Sequence, residues 1–225
     1  MALRTLIVND VTQLNPVPVF AIARPTTVAE VQDALRNTAT PVSVGGGHFS
    51  MGGQTASPGT LHLDLRGLNQ VLSFSPVERT LRVQAGIRWC DIQKFIDPHD
   101  LSVRVMQTYA NFTVGGALSV NCHGRYVGLG PVILSVRAIS LVLANGELVH
   151  ASPQENSELF YAAIGGYGAV GIIVEAELSL AENSRVERVD MKMPVTRYWA
   201  HFCETARSSG SAVFHNADLY PPHYT

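Results

Sequence analysis

The sequence predicts an α+β fold, on three observations. Strand-like stretches, whether alternating, β-rich or in hairpins, outnumber stretches with helical spacing. Strands and helices do not follow one another regularly, as they would in a βαβ series. The chain has 225 residues, 46% hydrophobic and 15% charged, enough to bury a large core as one big domain or two small ones.

In chain order, Thr27 and Glu30 fit a capping box two residues after Pro25. Val28, Val31 and Leu35 then recur at helical spacing, so residues 28–36 form a helix. Pro41 to Val44 is a short strand running into Gly45-Gly46-Gly47. Leu61, Leu63 and Leu65 alternate with His62 and Asp64, and Leu81, Val83 and Ala85 with Arg82 and Gln84, as half-buried strands do. Trp89 to Ile96 has helical periodicity and stops before Asp97-Pro98. Ile133 to Leu143 is a β-rich run, and Asn145-Gly146 reads as a two-residue hairpin turn leading back to Leu148-Val149. Ser157 to Ile164 reads as a helix, and Ile172 to Leu180 alternates as a strand. Residues 182–225 have weaker periodicity and end in Pro221-Pro222-His223-Tyr224-Thr225.

Composition excludes several classes of function. Sixteen basic residues against 18 acidic leave a net charge of −2, too little for an electrostatic case for nucleic acid or acidic membrane. Cys90, Cys122 and Cys203 match no zinc or CxxC spacing, as expected of a reduced protein. Met1 to Asp10, with Arg4, lacks the apolar core of a signal peptide. No apolar run approaches the roughly 20 residues of a membrane helix. The expectation is a soluble, cytoplasmic protein with a small-molecule substrate and no nucleic-acid or membrane partner. The eight histidines have no metal-ligand spacing, and there is no Walker lysine motif, HExxH or GxSxG.

Nineteen glycines exceed the usual share of roughly 7%, and they cluster. The first cluster is Gly45-Gly46-Gly47-His48-Phe49-Ser50-Met51-Gly52-Gly53. It reads either as a nest of inward amides suited to a diphosphate or as a plain surface loop. The second is Thr113-Val114-Gly115-Gly116-Ala117-Leu118-Ser119-Val120-Asn121-Cys122-His123-Gly124. It admits a flat group against the backbone or marks a tightly packed helix start. The third, Gly165-Gly166-Tyr167-Gly168-Ala169-Val170-Gly171, contains a literal GxGxxG. Here a helix precedes it and the strand from Ile172 follows, the reverse of a dinucleotide fingerprint, so a Rossmann site is rejected.

In order and spacing, these clusters together with Arg24-Pro25-Thr26-Thr27-Val28-Ala29-Glu30-Val31 resemble the FAD-binding domain of the vanillyl-alcohol oxidase / p-cresol methylhydroxylase family, from about Arg24 to Leu180. The resemblance implies FAD held between two α+β subdomains within residues 1–183, with a boundary near 90–110. It implies that Val44, Gly45, Gly46, Gly47, His48, Phe49, Ser50 and Gly53 wrap the pyrophosphate. Val114, Gly115, Gly116, Ser119, Asn121, Cys122 and His123 would line the pyrophosphate, ribityl chain and isoalloxazine, and Gly168, Gly171 and Ile172 the adenine end. His48 would bond covalently to the flavin 8α-methyl, as in many members. Gln107 to Phe112 holds no cysteine for a second bond.

The activity implied is oxidation of an alcohol group of a small polyol, sugar or lactone by hydride transfer to flavin N5. Oxygen or another acceptor would reoxidise the flavin. His123-Gly124 resembles the His-Gly of sugar-lactone and alditol oxidoreductases. Members run to about twice this length, so residues 184–225 read as the start of a substrate-binding cap whose remainder, with the catalytic base, is absent. The alternatives are a non-catalytic FAD-binding fragment and a related NADPH-dependent reductase, and no residue is nominated as base.

Overall fold

Three sheets carry the chain, and each grows from the local sequence. The computed structural model describes residues 6–221, so the expectations placed on Arg4 and on Pro222 to Thr225 lie outside it. Strands β1 (Leu6–Val8) and β2 (Val17–Val19) pair antiparallel. After β3 (Ala21–Ala23) comes helix α1 (Val28–Asn37), where Thr27 accepts a hydrogen bond from the Glu30 amide and the Glu30 carboxylate reaches back to the Thr26 amide. Strands β4 (Val42–Gly45) and β5 (Leu61–Asp64) complete a parallel sheet in the order β3-β5-β4.

The rest builds an antiparallel sheet. Its elements are β6 (Val71–Ser75), β7 (Thr80–Gln84), α2 (Trp89–Ile96), β8 (Leu101–Val103), α3 (Val114–Ser119), β9 (Val136–Val142), β10 (Leu148–Ala151), α4 (Ser157–Ala163) and β11 (Ile172–Glu182). The strand order is β10-β9-β11-β7-β6, with β8 paired to the far end of β11. Helix α5 (Val195–Phe202) follows Pro194. The fold is thus α+β.

Three local expectations are corrected. The alternation at 61–65 ends at Asp64, because Leu65–Gly67 turns into a 3-10 helix capped by the Asp64 side chain on the Arg66 amide at 3.3 Å. The run from Ile133 starts as another such turn, Val132–Ser135, which Cys122 O and Asn121 Oδ1 hold by accepting from the Val132 and Ile133 amides. At Asn145-Gly146 the Gly146 amide donates to Leu143 O and the Leu143 amide to Glu147 O, and only Gly146 has positive φ, at +79°. This is a three-residue loop with glycine in the left-handed position, whereas a two-residue type I′ turn needs both central residues there.

Two cores result. Val31 of α1 packs with Leu63, Leu65, Leu68, Val142, Ile172 and Val174. The larger core gathers Leu81, Val83, Trp89, Ile92, Leu118, Ile139, Leu141, Phe160, Ala176 and Leu178. Glycine allows the close approaches between the parts. The Gly86 amide donates to Leu68 O at 2.7 Å, and a Cβ there would lie 2.0 Å from Leu65 O. The Gly115 amide donates to Ala85 O at 2.7 Å, which seats α3 on the end of β7.

Candidate functional site: a cleft where three glycine segments meet

Residues far apart in sequence converge on one cleft. Its walls include Val44, Gly45, Gly46 and Ser50 from the first cluster, Gly115, Gly116 and Ser119 from the second, and Gly168, Gly171 and Ile172 from the third. Among the described residues, none of the backbone amides of Gly46, Gly47, His48, Phe49 and Ser50 is engaged by a protein acceptor. The loop after β4 therefore presents unpaired donors, the property that makes a backbone nest attract anions.

Thr113, just before α3, was not singled out from the sequence. It is 2% exposed, and its Oγ1 lines the cleft region buried without a partner. A Cβ on Gly46 would lie 2.3 Å from that oxygen, and one on Gly116 3.0 Å from it. Glycine at 46 thus makes room for an unsatisfied hydroxyl, and at 116 a Cβ would be a tight fit against it. Gln54, Thr55, Leu65, Ala85, Val120, Tyr167 and Ile173 are further wall residues outside the expected set. The glycine pattern drew attention to their neighbours, but their own side chains carry no distinguishing signal.

Several expected residues stand elsewhere. Phe49 packs edge-on against Phe112 and Tyr109, with centroids 4.7 and 5.2 Å away. Gly53, at φ +76°, turns the loop beside Asn15. Val114 is fully buried in the large core. Asn121, with φ +44°, ends α3 and holds the Ile133 amide. Burial pushes the Cys122 thiol up to about 11, so it stays protonated near neutrality. His123 is exposed beside Gly124 O.

Gly47 and His48 line a second, polar cavity on the other side of the loop, with His62, Asp64, Arg24 and Arg66. The hydrogen-bond partners assign both imidazole tautomers. His48 Nδ1 lies 3.1 Å from Asn9 O, which only accepts, so Nδ1 carries the proton. Thr60 Oγ1 donates to Ser57 O, so Ser43 Oγ must donate to Thr60, and it then accepts from His62 Nδ1 at 3.0 Å. Both Nε2 atoms are left as bare lone pairs, buried without a partner. Burial holds His48 below the usual histidine value, with the Arg66 charge adding to it. Burial and then His48 push His62 down to about 4. Burial alone would raise Asp64, but hydrogen bonds and charge from Arg66 prevail and hold it low. Among the described residues there is no cluster of three or more metal-ligating side chains and no helix long and apolar enough to cross a membrane.

Comparison with known proteins shows the family of the chain. The family model described as FAD binding domain matches residues 20–152. The chain is 36% identical over 167 residues to an uncharacterized oxidoreductase, ORF5 of the fasciation locus of Rhodococcoides fascians, covering 72% of this chain and 37% of the relative. It is 31% identical over 175 residues to cytokinin dehydrogenase 7 of Oryza sativa subsp. japonica, covering 71% and 32%. To alditol oxidase of a Streptomyces species it is 29% identical over 161 residues, covering 71% and 38%. The chain spans about a third of the length of these curated relatives.

Proposed function

The chain belongs to the family of FAD binding domains, and from that membership we propose that it is the flavin-holding part of an FAD-dependent oxidoreductase, with FAD in the cleft between the three glycine segments. One observation carries this reading: Gly46 and Ser50, whose amides are unpaired, and Thr113, whose hydroxyl is orphaned, belong to the walls of one cleft. The residues fit a dinucleotide. Gly46 and Gly116 would let a diphosphate lie against backbone, while the Gly46 and Ser50 amides and Thr113 Oγ1 would donate to its oxygens. Val44, Leu65, Ala85, Ile172 and Ile173 supply apolar wall. Bound FAD supplies the capacity to take a hydride from a substrate carbon, and the protein supplies position and electrostatics.

Within the family we assign the vanillyl-alcohol oxidase / p-cresol methylhydroxylase type, with two subdomains. The proposed boundary lies near residues 90–110. Residues 184–225 are proposed as the start of a part that covers the substrate. The substrate proposed is an alcohol of a small polyol, sugar or lactone, which a relative named alditol oxidase supports. The competing reading is a module that holds FAD without turnover. A covalent bond from His48 is a separate element: the bare, neutral Nε2 favours it, while the ring faces the second cavity rather than the cleft.

The test is titration of apo protein with FAD, read by flavin fluorescence. Thr113→Val removes one hydrogen bond to a charged group and is expected to weaken FAD about tenfold or more, with Thr113→Ser retaining affinity. Equal affinity in all three proteins would refute the site. Colour that survives acid precipitation and is lost in His48→Ala establishes the covalent bond; colour released by acid removes it. Bleaching by a polyol and lactone panel separates an enzyme from a holding module.

A further inference from the structure

Among the described residues, Tyr167 is the one aromatic side chain in the walls of the cleft. It stands in the third glycine segment, between Gly166 and Gly168. Its φ is +52°, in the left-handed region, where a bulky side chain is an outlier. The surroundings impose that conformation. The Gly165 and Tyr167 amides donate to Leu118 O and Ser119 O at 2.9 and 3.0 Å. A Cβ on Gly166 would lie 2.0 Å from Ala162 O, and Gly168 follows at φ +80°. Leu118 and Ser119 end α3, whose first turn holds the wall residues Gly115 and Gly116. Residue 167 is thus pinned beside the cleft in a conformation that glycine or asparagine adopts with less strain.

The tyrosine side chain adds nothing to the core that would offset this strain. The residue is 67% exposed and belongs to neither hydrophobic core. Strained residues that the surrounding structure holds in place cluster at ligand clamps and active sites. The apolar residues of the other walls, Val44, Leu65, Ala85, Val120, Ile172 and Ile173, are aliphatic. A flat aromatic face among them is suited to a flat ring, because offset stacking of two π-systems adds to the area they bury.

We propose that Tyr167 is a stacking residue for one of the two flat heteroaromatic rings of the dinucleotide. The inference rests on the reading of the cleft as the FAD site. It adds a side chain that addresses a ring, where the Gly46 and Ser50 amides and Thr113 address the diphosphate.

The experiment is isothermal titration of the full chain with FAD, for the unaltered protein, Tyr167→Phe, Tyr167→Asn and Thr113→Val, beside thermal unfolding of the apo forms. Asparagine tolerates the left-handed region. Tyr167→Asn is therefore expected to melt at the same temperature as the unaltered protein or higher, yet to bind FAD about tenfold or more weakly, the scale of a lost base–aromatic stack. Tyr167→Phe keeps the ring and should bind within about twofold. ADP and FMN each carry one of the two rings, and the one that Tyr167→Asn weakens carries the stacked ring. Equal FAD affinity in Tyr167→Asn and the unaltered protein would overturn the proposal. A loss in Thr113→Val in that same series would leave the reading of the cleft standing, whereas no FAD binding by the unaltered protein would overturn both. A lower melting temperature together with weaker FAD in Tyr167→Asn would overturn the proposal by making Tyr167 a structural residue. A loss in Tyr167→Phe as large as in Tyr167→Asn would overturn it by assigning the effect to the hydroxyl.

Discussion

Gly46→Ala tests whether the cleft is shaped by the contact between its first and second glycine segments. The added Cβ would lie 2.3 Å from Thr113 Oγ1, about 1.1 Å inside the 3.4 Å at which ordinary contact begins. Gly46 is not in the left-handed region, so alanine brings no backbone strain there. Overpacking of this kind costs about 1–3 kcal/mol, offset by about 0.4–1 kcal/mol from a stiffer unfolded chain. The net expectation is a loss of about 1–2 kcal/mol. Thr113→Ala removes Oγ1 and Cγ2 and leaves only Cβ, at 3.4 Å. In that background Gly46→Ala should be neutral or slightly stabilising. Urea unfolding of the apo forms of the four proteins closes the cycle, with a coupling of about 1–3 kcal/mol expected. A coupling below about 0.5 kcal/mol would refute the argument, since the cost would then arise in the loop itself.

Three further outcomes are expected. Gly86→Ala places a Cβ 2.0 Å from Leu65 O and 2.8 Å from Leu68 O, both backbone, so the variant should lose more than about 3 kcal/mol or fail to fold, as read by circular dichroism. Gly168 has φ +80° with nothing within 4 Å of a Cβ, so Gly168→Ala should cost only about 1 kcal/mol, all of it backbone strain. Between about pH 6.5 and 4 the folded state binds fewer protons at His62 than the unfolded state. Stability should therefore fall on acidification through that window, by up to about 3 kcal/mol at about 1.36 kcal/mol per unit; a His62→Gln chain should show a shallower fall, and an unchanged pH profile would count against the assignment.

The elements legible in the sequence were those long enough to show a period. Val28–Asn37, Trp89–Ile96 and Ile172–Glu182 each repeat their pattern over eight residues or more. Strands of three residues such as Leu6–Val8, Ala21–Ala23 and Leu101–Val103 show at most one alternation, and pairing partners rather than local pattern define them. At the site, Gly45, Gly46, Gly115, Gly116, Gly168 and Gly171 were legible because an excess of glycine is visible without geometry. The role of the Thr113 hydroxyl was not, since Thr113 opens the second segment with nothing in the pattern to mark its side chain, which makes no cap hydrogen bond. The direction of His48 was also hidden. His48, at φ +59°, lines the second cavity and not the cleft, and no sequence pattern marks that.

Strand β11 is made last among the strands yet lies between β9 and β7, and its residues enter both cores. On a growing chain, β6–β7 and β9–β10 are separate hairpins until residues 172–182 arrive to join them. Ile172 and Ile173, the first of that strand, are also wall residues of the cleft. Loop closure over so many residues is a slow, non-local step. The wall of the proposed nucleotide cleft is therefore completed late in synthesis, by the same strand that closes the sheet.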